Sequence, residues 1–142
     1  MKLLIAALLA VFSTGAIAGW TLLGNSDDKS YDVYIDKTAI HKKGNVAKAW
    51  ILFDYKQPQD LEPADPKEIA KPYSSLRTLY EHDCAEIRYR PLVKEFFSYN
   101  MGKGGSIEWK AKWFEAHKNN GDWEDPAPDS IGMGILKLVC KK

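Results

Sequence analysis

Cys84 and Cys140 are the only cysteines in 142 residues, and what they can do depends on where the chain goes. Met1-Lys2 opens with a positive charge. Leu3 to Phe12 is an uncharged apolar run of ten residues, and the small-residue stretch Ser13 to Ala18 ends in the pattern Ala16-Ile17-Ala18. That order is a secretory signal peptide, with cleavage expected after Ala18. The apolar run falls short of the roughly 20 residues a helix needs to cross a bilayer, so a membrane anchor is the poorer reading. Export would carry both thiols into an oxidising compartment, where a bridge is stable. A Cys84–Cys140 bridge closes a 57-residue loop, counting both ends. Neither cysteine sits in the Cys-x-x-Cys pattern of a redox pair. His82-Asp83-Cys84 is no triad either, because neighbours in a strand point to opposite faces.

The domain organisation that follows is a leader over 1–18 and one domain over 19–142. Removing the leader takes away one lysine and no acid, which leaves 19 basic against 19 acidic residues. A chain with no net charge lacks the basic excess that holds phosphates, so nucleic acid is not an expected partner. No cysteine follows the apolar run, so a lipid-anchored protein is not expected. The mature chain has no apolar stretch of transmembrane length. The expected location is the periplasm, the cell surface or the medium.

Strand periodicity dominates what remains. Tyr31, Val33 and Ile35 alternate with Asp32, Tyr34 and Asp36, the pattern of a half-buried strand. Trp20 to Gly24 reads as a short opening strand and His41 to Asn45 as a polar loop with turn chemistry. Asn45 to Tyr55 reads as a long strand whose segment Trp50–Phe53 is apolar on both sides and therefore covered on both faces. Four prolines between Lys56 and Pro72 argue for a surface connection rather than a strand. Leu76, Thr78, Tyr80 and His82 share one face of a further strand. Ala85, Ile87 and Tyr89 oppose Glu86, Arg88 and Arg90 in the next, where Pro91 demands a bulge or an edge. Ile107 to Trp113 alternates most regularly, after the turn Gly102 to Gly105. Trp50, Trp109 and Trp113 fall on the apolar faces of their strands and read as core. Beyond the polar stretch His117–Pro128, Asp129 or Ser130 can cap a helix. Ile131, Ile135, Leu138 and Val139 make its single apolar face. The fold class is α+β: one antiparallel sheet with a C-terminal helix that Cys140 would tie to it.

The order of these features resembles the surface-adhesin protein E-like family of Gram-negative bacteria. The marks are Trp20, Val33-Tyr34-Ile35-Asp36, Thr38-Ala39-Ile40, Val46, Trp50-Ile51-Leu52 and Ser74-Ser75-Leu76. An aromatic before Asp83-Cys84, Trp123, Pro128-Asp129-Ser130 and Val139-Cys140 complete them. The resemblance implies a sheet of about six antiparallel strands, a C-terminal helix held by the Cys84–Cys140 bridge, and an exported protein without enzymatic activity. It also implies adhesion to host matrix from a lipid anchor on the outer membrane, and here the present sequence departs for want of a lipidation cysteine.

No residue pattern points to catalysis. His41, His82 and His117 are scattered and not at metal-ligand spacing, so no metal or other cofactor is expected. Asp27-Asp28 and Glu124-Asp125 read as turn acids, and Gly102 to Gly105 as a flexible turn rather than a phosphate cradle, since a strand follows it. The best recognition candidate is a basic stripe of Arg88 and Arg90 joined by Lys94; Lys110 and Lys112 form a second. Expected partners are extracellular or envelope proteins, and an open sheet edge also offers a route to a homodimer. The alternative function is a small-ligand carrier or envelope factor with a pocket between sheet and helix. The 16 aromatic residues beyond Phe12 could line that pocket.

Overall fold

The computed structural model describes residues 19–61, 70–108 and 123–141. Their strands are β1 (Trp20–Asn25), β2 (Tyr31–Asp36), β3 (His41–Lys43), β4 (Val46–Leu61), β5 (Lys71–Asp83), β6 (Arg88–Tyr99) and β7 (Lys103–Glu108), followed by one helix, α1 (Ile131–Val139). All seven strands form one antiparallel sheet in the order β1-β2-β4-β5-β6-β7, with β3 paired to the start of β4. The α+β class, the antiparallel sheet and the C-terminal helix are as the sequence implied.

Four boundaries differ from expectation. Ala85–Ile87 belongs to the turn before β6 rather than to the strand, with Ile87 exposed at a φ of 55°, and β7 starts at Lys103, so Gly104 and Gly105 lie in a strand rather than in the turn before it. His41–Lys43 pairs with Val46–Lys48 across a tight turn at Gly44, whose φ is +59°. All three of its residues are exposed, so no apolar alternation marks it in the sequence. The proline-rich connection also begins later than its prolines suggest, since β4 runs on to Leu61 and β5 starts at Lys71. The register skips between Asp54 and Gln59, so Pro58 stands in an irregularity where its missing N–H breaks no ladder bond. Residues 109–113 of the expected last strand lie outside the described residues, as do His117 and the leader.

The pleat divides the chain into two faces. On one, Val33, Ile35, Ala47, Ala49 and Ile51 pack beneath Ile135 and Val139 of α1, with Ile131 and Leu138 at the margins. Ala47 and Ala49 are fully buried, and their small side chains let the helix sit close to the sheet. Ser130 caps the helix by accepting a bond from the Met133 N–H at 3.2 Å. Cys140 at the far end is joined to Cys84 just after β5. Lys42 adds a bond from its ammonium to the Cys140 carbonyl at 2.9 Å.

The other face explains why Trp50–Phe53 is apolar on both sides. Leu52 points away from the helix yet is fully buried. A 3-10 turn at Asn100–Gly102 folds over it, and a Cβ added at Gly102 would lie 3.9 Å from Leu52 and 4.0 Å from Phe97. Five polar bonds dock that turn, two of them from Asn100 Nδ2, to Asp54 Oδ1 at 3.1 Å and to the Tyr55 carbonyl at 2.9 Å. Asp54 Oδ1 accepts from the Met101 N–H at 2.7 Å, Ser75 Oγ accepts from the Gly102 N–H at 2.9 Å, and the same hydroxyl donates to the Tyr99 carbonyl at 2.6 Å. Gly104 must be glycine, because its φ is +86° and a Cβ there would meet Ser98 and Tyr99 at 2.5 Å. Trp50 lies on this second face, not in the core under the helix. It is half-buried, with the Arg77 guanidinium 4.7 Å above its ring.

Candidate functional site

Arg88 and Arg90 leave β6 on the face away from the helix. Their cross-strand neighbours on β5 are Asp83 and Glu81. Arg88 holds Asp83 with Nη2 at 3.2 Å, and Arg90 grips Glu81 through both Nε and Nη2, at 3.0 and 2.7 Å. Lys48 approaches the same Glu81 from β4 at 3.6 Å. Backbone bonds link Tyr89 and Glu124 in both directions, at 3.0 and 2.8 Å, so the 123–125 segment runs beside the start of β6. That pairing lays the Trp123 ring over both guanidiniums, 4.8 Å from Arg88 and 4.4 Å from Arg90. The arginines are thereby fixed by an acid on one side and an indole face on the other.

Lys94 does not join them. The ladder pairs Leu79 with Val93 and Tyr80 with Pro91, which leaves Leu92 as the extra residue of a bulge. An extra residue flips everything after it to the opposite face. Lys94 consequently pairs with Thr78 on the helix side. The bulge that Pro91 demands is present, and it divides the stripe read from simple alternation. Trp123 takes the place beside the arginines instead. It sits in a stretch with no periodicity, and nothing in the sequence ties it to β6.

The second feature lies on the helix side. A cleft of about 820 Å³ separates the sheet from the first turn of α1. Tyr31, Phe53, Tyr80, His82 and Tyr89 line its sheet side, and Ile131, Gly132 and Ile135 its helix side. Asn25, Ser26 and Asp27 from the β1–β2 turn form one rim, and Asp125 and Pro128–Ser130 form the other. Aromatic contacts extend the floor: Tyr31 meets Phe53 edge-on at 5.8 Å and Tyr55 at a tilt at 5.4 Å, and Tyr80 meets Tyr89 edge-on at 5.6 Å.

Electrostatics on the cleft floor are simple. Burial pushes the Tyr80 hydroxyl up to about 12, and burial followed by the nearby Glu124 carboxylate raises Tyr89. Both hydroxyls therefore stay protonated at neutral pH. His82 is 2% exposed, and desolvation lowers its imidazole to about 4, so it is neutral. Its Nδ1 is buried without a hydrogen-bond partner. In the β1–β2 turn, Asp28 accepts from Ser26 Oγ at 2.7 Å and the Ser30 N–H at 3.0 Å, and the Ser26 bond leads in lowering its carboxyl to about 2. Asp28 is thus a turn acid, as Asp27-Asp28 was expected to be. His41 is exposed on β3 and is not among the residues that line the cleft. Among the described residues no group of three or more His, Cys, Asp or Glu side chains is placed to hold a metal ion. No helix among them is long and apolar enough to cross a membrane.

Comparison with known proteins follows the fold. No curated protein matches the chain by sequence. The structure of protein E from Haemophilus influenzae superposes with a TM-score of 0.61 at 16% identity, covering 87% of this chain and 86% of that one. Protein E from non-typeable Haemophilus influenzae gives 0.61 at 17% identity, covering 96% and 81%. At such identities the likeness speaks for the fold. The family model described as surface-adhesin protein E matches residues 20–141 of the 142. The chain belongs to the surface-adhesin protein E family, a membership that supports an exported, non-enzymatic, adhesin-like role.

Proposed function

We propose that this protein is an exported contact protein that binds an extracellular protein surface through the open face of its sheet, at Arg88, Arg90 and Trp123. One observation carries the reading: a Trp ring stacked across two guanidiniums that are already paired with Glu81 and Asp83. Trp and Arg supply much of the energy of protein interfaces, and side chains held in place before contact lose less entropy on binding. The two arginines remain 37% and 29% exposed, so a partner can reach them. The alternating acids and bases suit a partner of mixed charge, consistent with a chain whose 20 basic and 19 acidic residues nearly cancel and give little net charge to steer association.

The test is adherence to immobilised host-matrix protein by bacteria carrying the intact gene, a deletion, or Arg88→Ala with Arg90→Ala. Both substitutions are at the surface, and circular dichroism checks that the variant folds. The expected result is a several-fold loss of adherence in the deletion strain and most of that loss in the double variant. Equal adherence by all three strains would overturn the reading. A second reading, a carrier of a small ligand, is supported by the cleft under α1.

A further inference from the structure

We propose that the cleft between the sheet and the first turn of α1 binds an organic cation, with its apolar flank against Tyr31, Phe53, Tyr80 and Tyr89 and its charge beside Asp27, Asp125 and Asp129. The assignment deepens the carrier reading and does not depend on contact through the outer face. Its first support is the charge of the lining. Among the described residues around the cleft, three are aspartates and none is lysine or arginine. Aromatic faces attract cations through their quadrupole, and an acid at the mouth adds to that attraction.

The opposing force is the N-terminus of α1, which favours anions. A helix end carries about half a positive charge, against three full negative charges on the rim. Ser130 Oγ has moreover already taken the Met133 N–H of the first turn. The aspartates therefore dominate, and the preferred occupant is positive.

The second support is His82. Its side chain lines the cleft, is 2% exposed, and leaves Nδ1 without a partner. Buried polar atoms are rarely left unpaired. An ammonium or guanidinium N–H is the donor a neutral imidazole nitrogen lacks, while Tyr80 and Tyr89 flank that imidazole with ring centroids 6.2 Å away. Ordinary solvation of the rim explains the aspartates singly but not their convergence on an aromatic cleft with an orphaned buried nitrogen.

The same chemistry can arrive as a free amine or as a Lys or Arg side chain of a polypeptide. Titration of the oxidised, exported chain, followed through the aromatic NMR signals of Tyr80, Tyr89 and His82, separates the two. The probes are benzylamine, spermidine, an end-blocked Gly-Lys-Gly peptide and, as the anionic control, benzoate. Saturable shifts with at least one cation and none with benzoate are expected. Benzylamine or spermidine alone identifies a free amine as the source, and the peptide alone identifies a side chain. Asp125→Asn with Asp129→Asn should weaken the cation roughly tenfold, the size of a solvated charge contact. Asn tolerates the positive φ of 60° at Asp129, so the fold survives the change. No saturable shift with any of the four probes would sink both this proposal and the carrier reading. Benzoate binding as tightly as the cations, or undiminished affinity in the Asn variant, would sink the cation assignment alone.

Discussion

Breaking the bridge by Cys84→Ser or Cys140→Ser should lower stability by about 4 kcal/mol, the chain-entropy value for a loop of this length. The bonded cysteines are 56 positions apart. The loss should be large because of what the bridge holds. Helix α1 has nine residues, fewer than an isolated helix needs in water. It stays in place through Ile135 and Val139 over the two alanines of β4, the Lys42 bond and the disulfide. Without the bridge, the helix end can leave the sheet and expose the core around Ile51. For a domain of this size the melting temperature should fall by on the order of 15 °C. Thermal melts of the oxidised protein, the reduced protein and the double Ser variant check this. The last two should coincide, and a melt unchanged by reductant would contradict the account.

His82 should make the fold acid-sensitive. Desolvation holds its folded-state pKa at about 4, below the ordinary 6.5, because the imidazolium is disfavoured in the cleft floor; a backbone bond to Ala47 opposes the shift only weakly. Between those values the unfolded chain binds more protons than the folded one, so stability rises with pH. The contribution is full above 6.5 and is lost as pH falls through 6.5 towards 4. It amounts to about 3 kcal/mol in all and about 2 kcal/mol between pH 7 and pH 5. Denaturant unfolding at those two pH values measures it. His82→Phe keeps an aromatic ring without a titrating group, so the pH 7 to pH 5 difference should shrink by about 2 kcal/mol relative to the wild type. The comparison with wild type cancels the carboxylates, Asp28 and Asp83 among them, which are lowered in the fold. An equal pH dependence in both proteins would contradict the assignment.

How much of this could be read beforehand depended on the physical origin of each signal. Period-two alternation is local, so Tyr31–Asp36 and Leu76–His82 were legible together with the faces they present. The helix was equally legible, because its apolar spacing and the Ser130 cap lie within one short segment. Leu52 showed in the sequence that its strand is covered twice, but not that Asn100–Gly102 supplies the cover. That contact depends on a turn with Met101 at a φ of 58° and on Ser75 and Asp54 reaching it from other strands. Lys94 failed for a comparable reason, since a proline announces a bulge without saying which residue is extra. Trp123 counted only as a mark of the family pattern, and its place beside the arginines carried no signal, because it comes from pairing with a strand more than thirty positions earlier. The cleft was foreseeable as a space between sheet and helix. Its aspartate rim was not, because Asp27 and Asp125 look like any turn acids until the β1–β2 turn and the 123–130 segment are brought to the same end of α1.

Both the proposed contact at Arg88, Arg90 and Trp123 and the adhesin-like role require the protein to meet its partner outside the cell. Protease shaving of intact cells measures that directly, with a periplasmic marker to confirm that the outer membrane is whole. The account predicts that trypsin degrades the protein on intact cells while the marker survives. Full protection until the outer membrane is permeabilised would contradict surface contact and confine the protein to the periplasm.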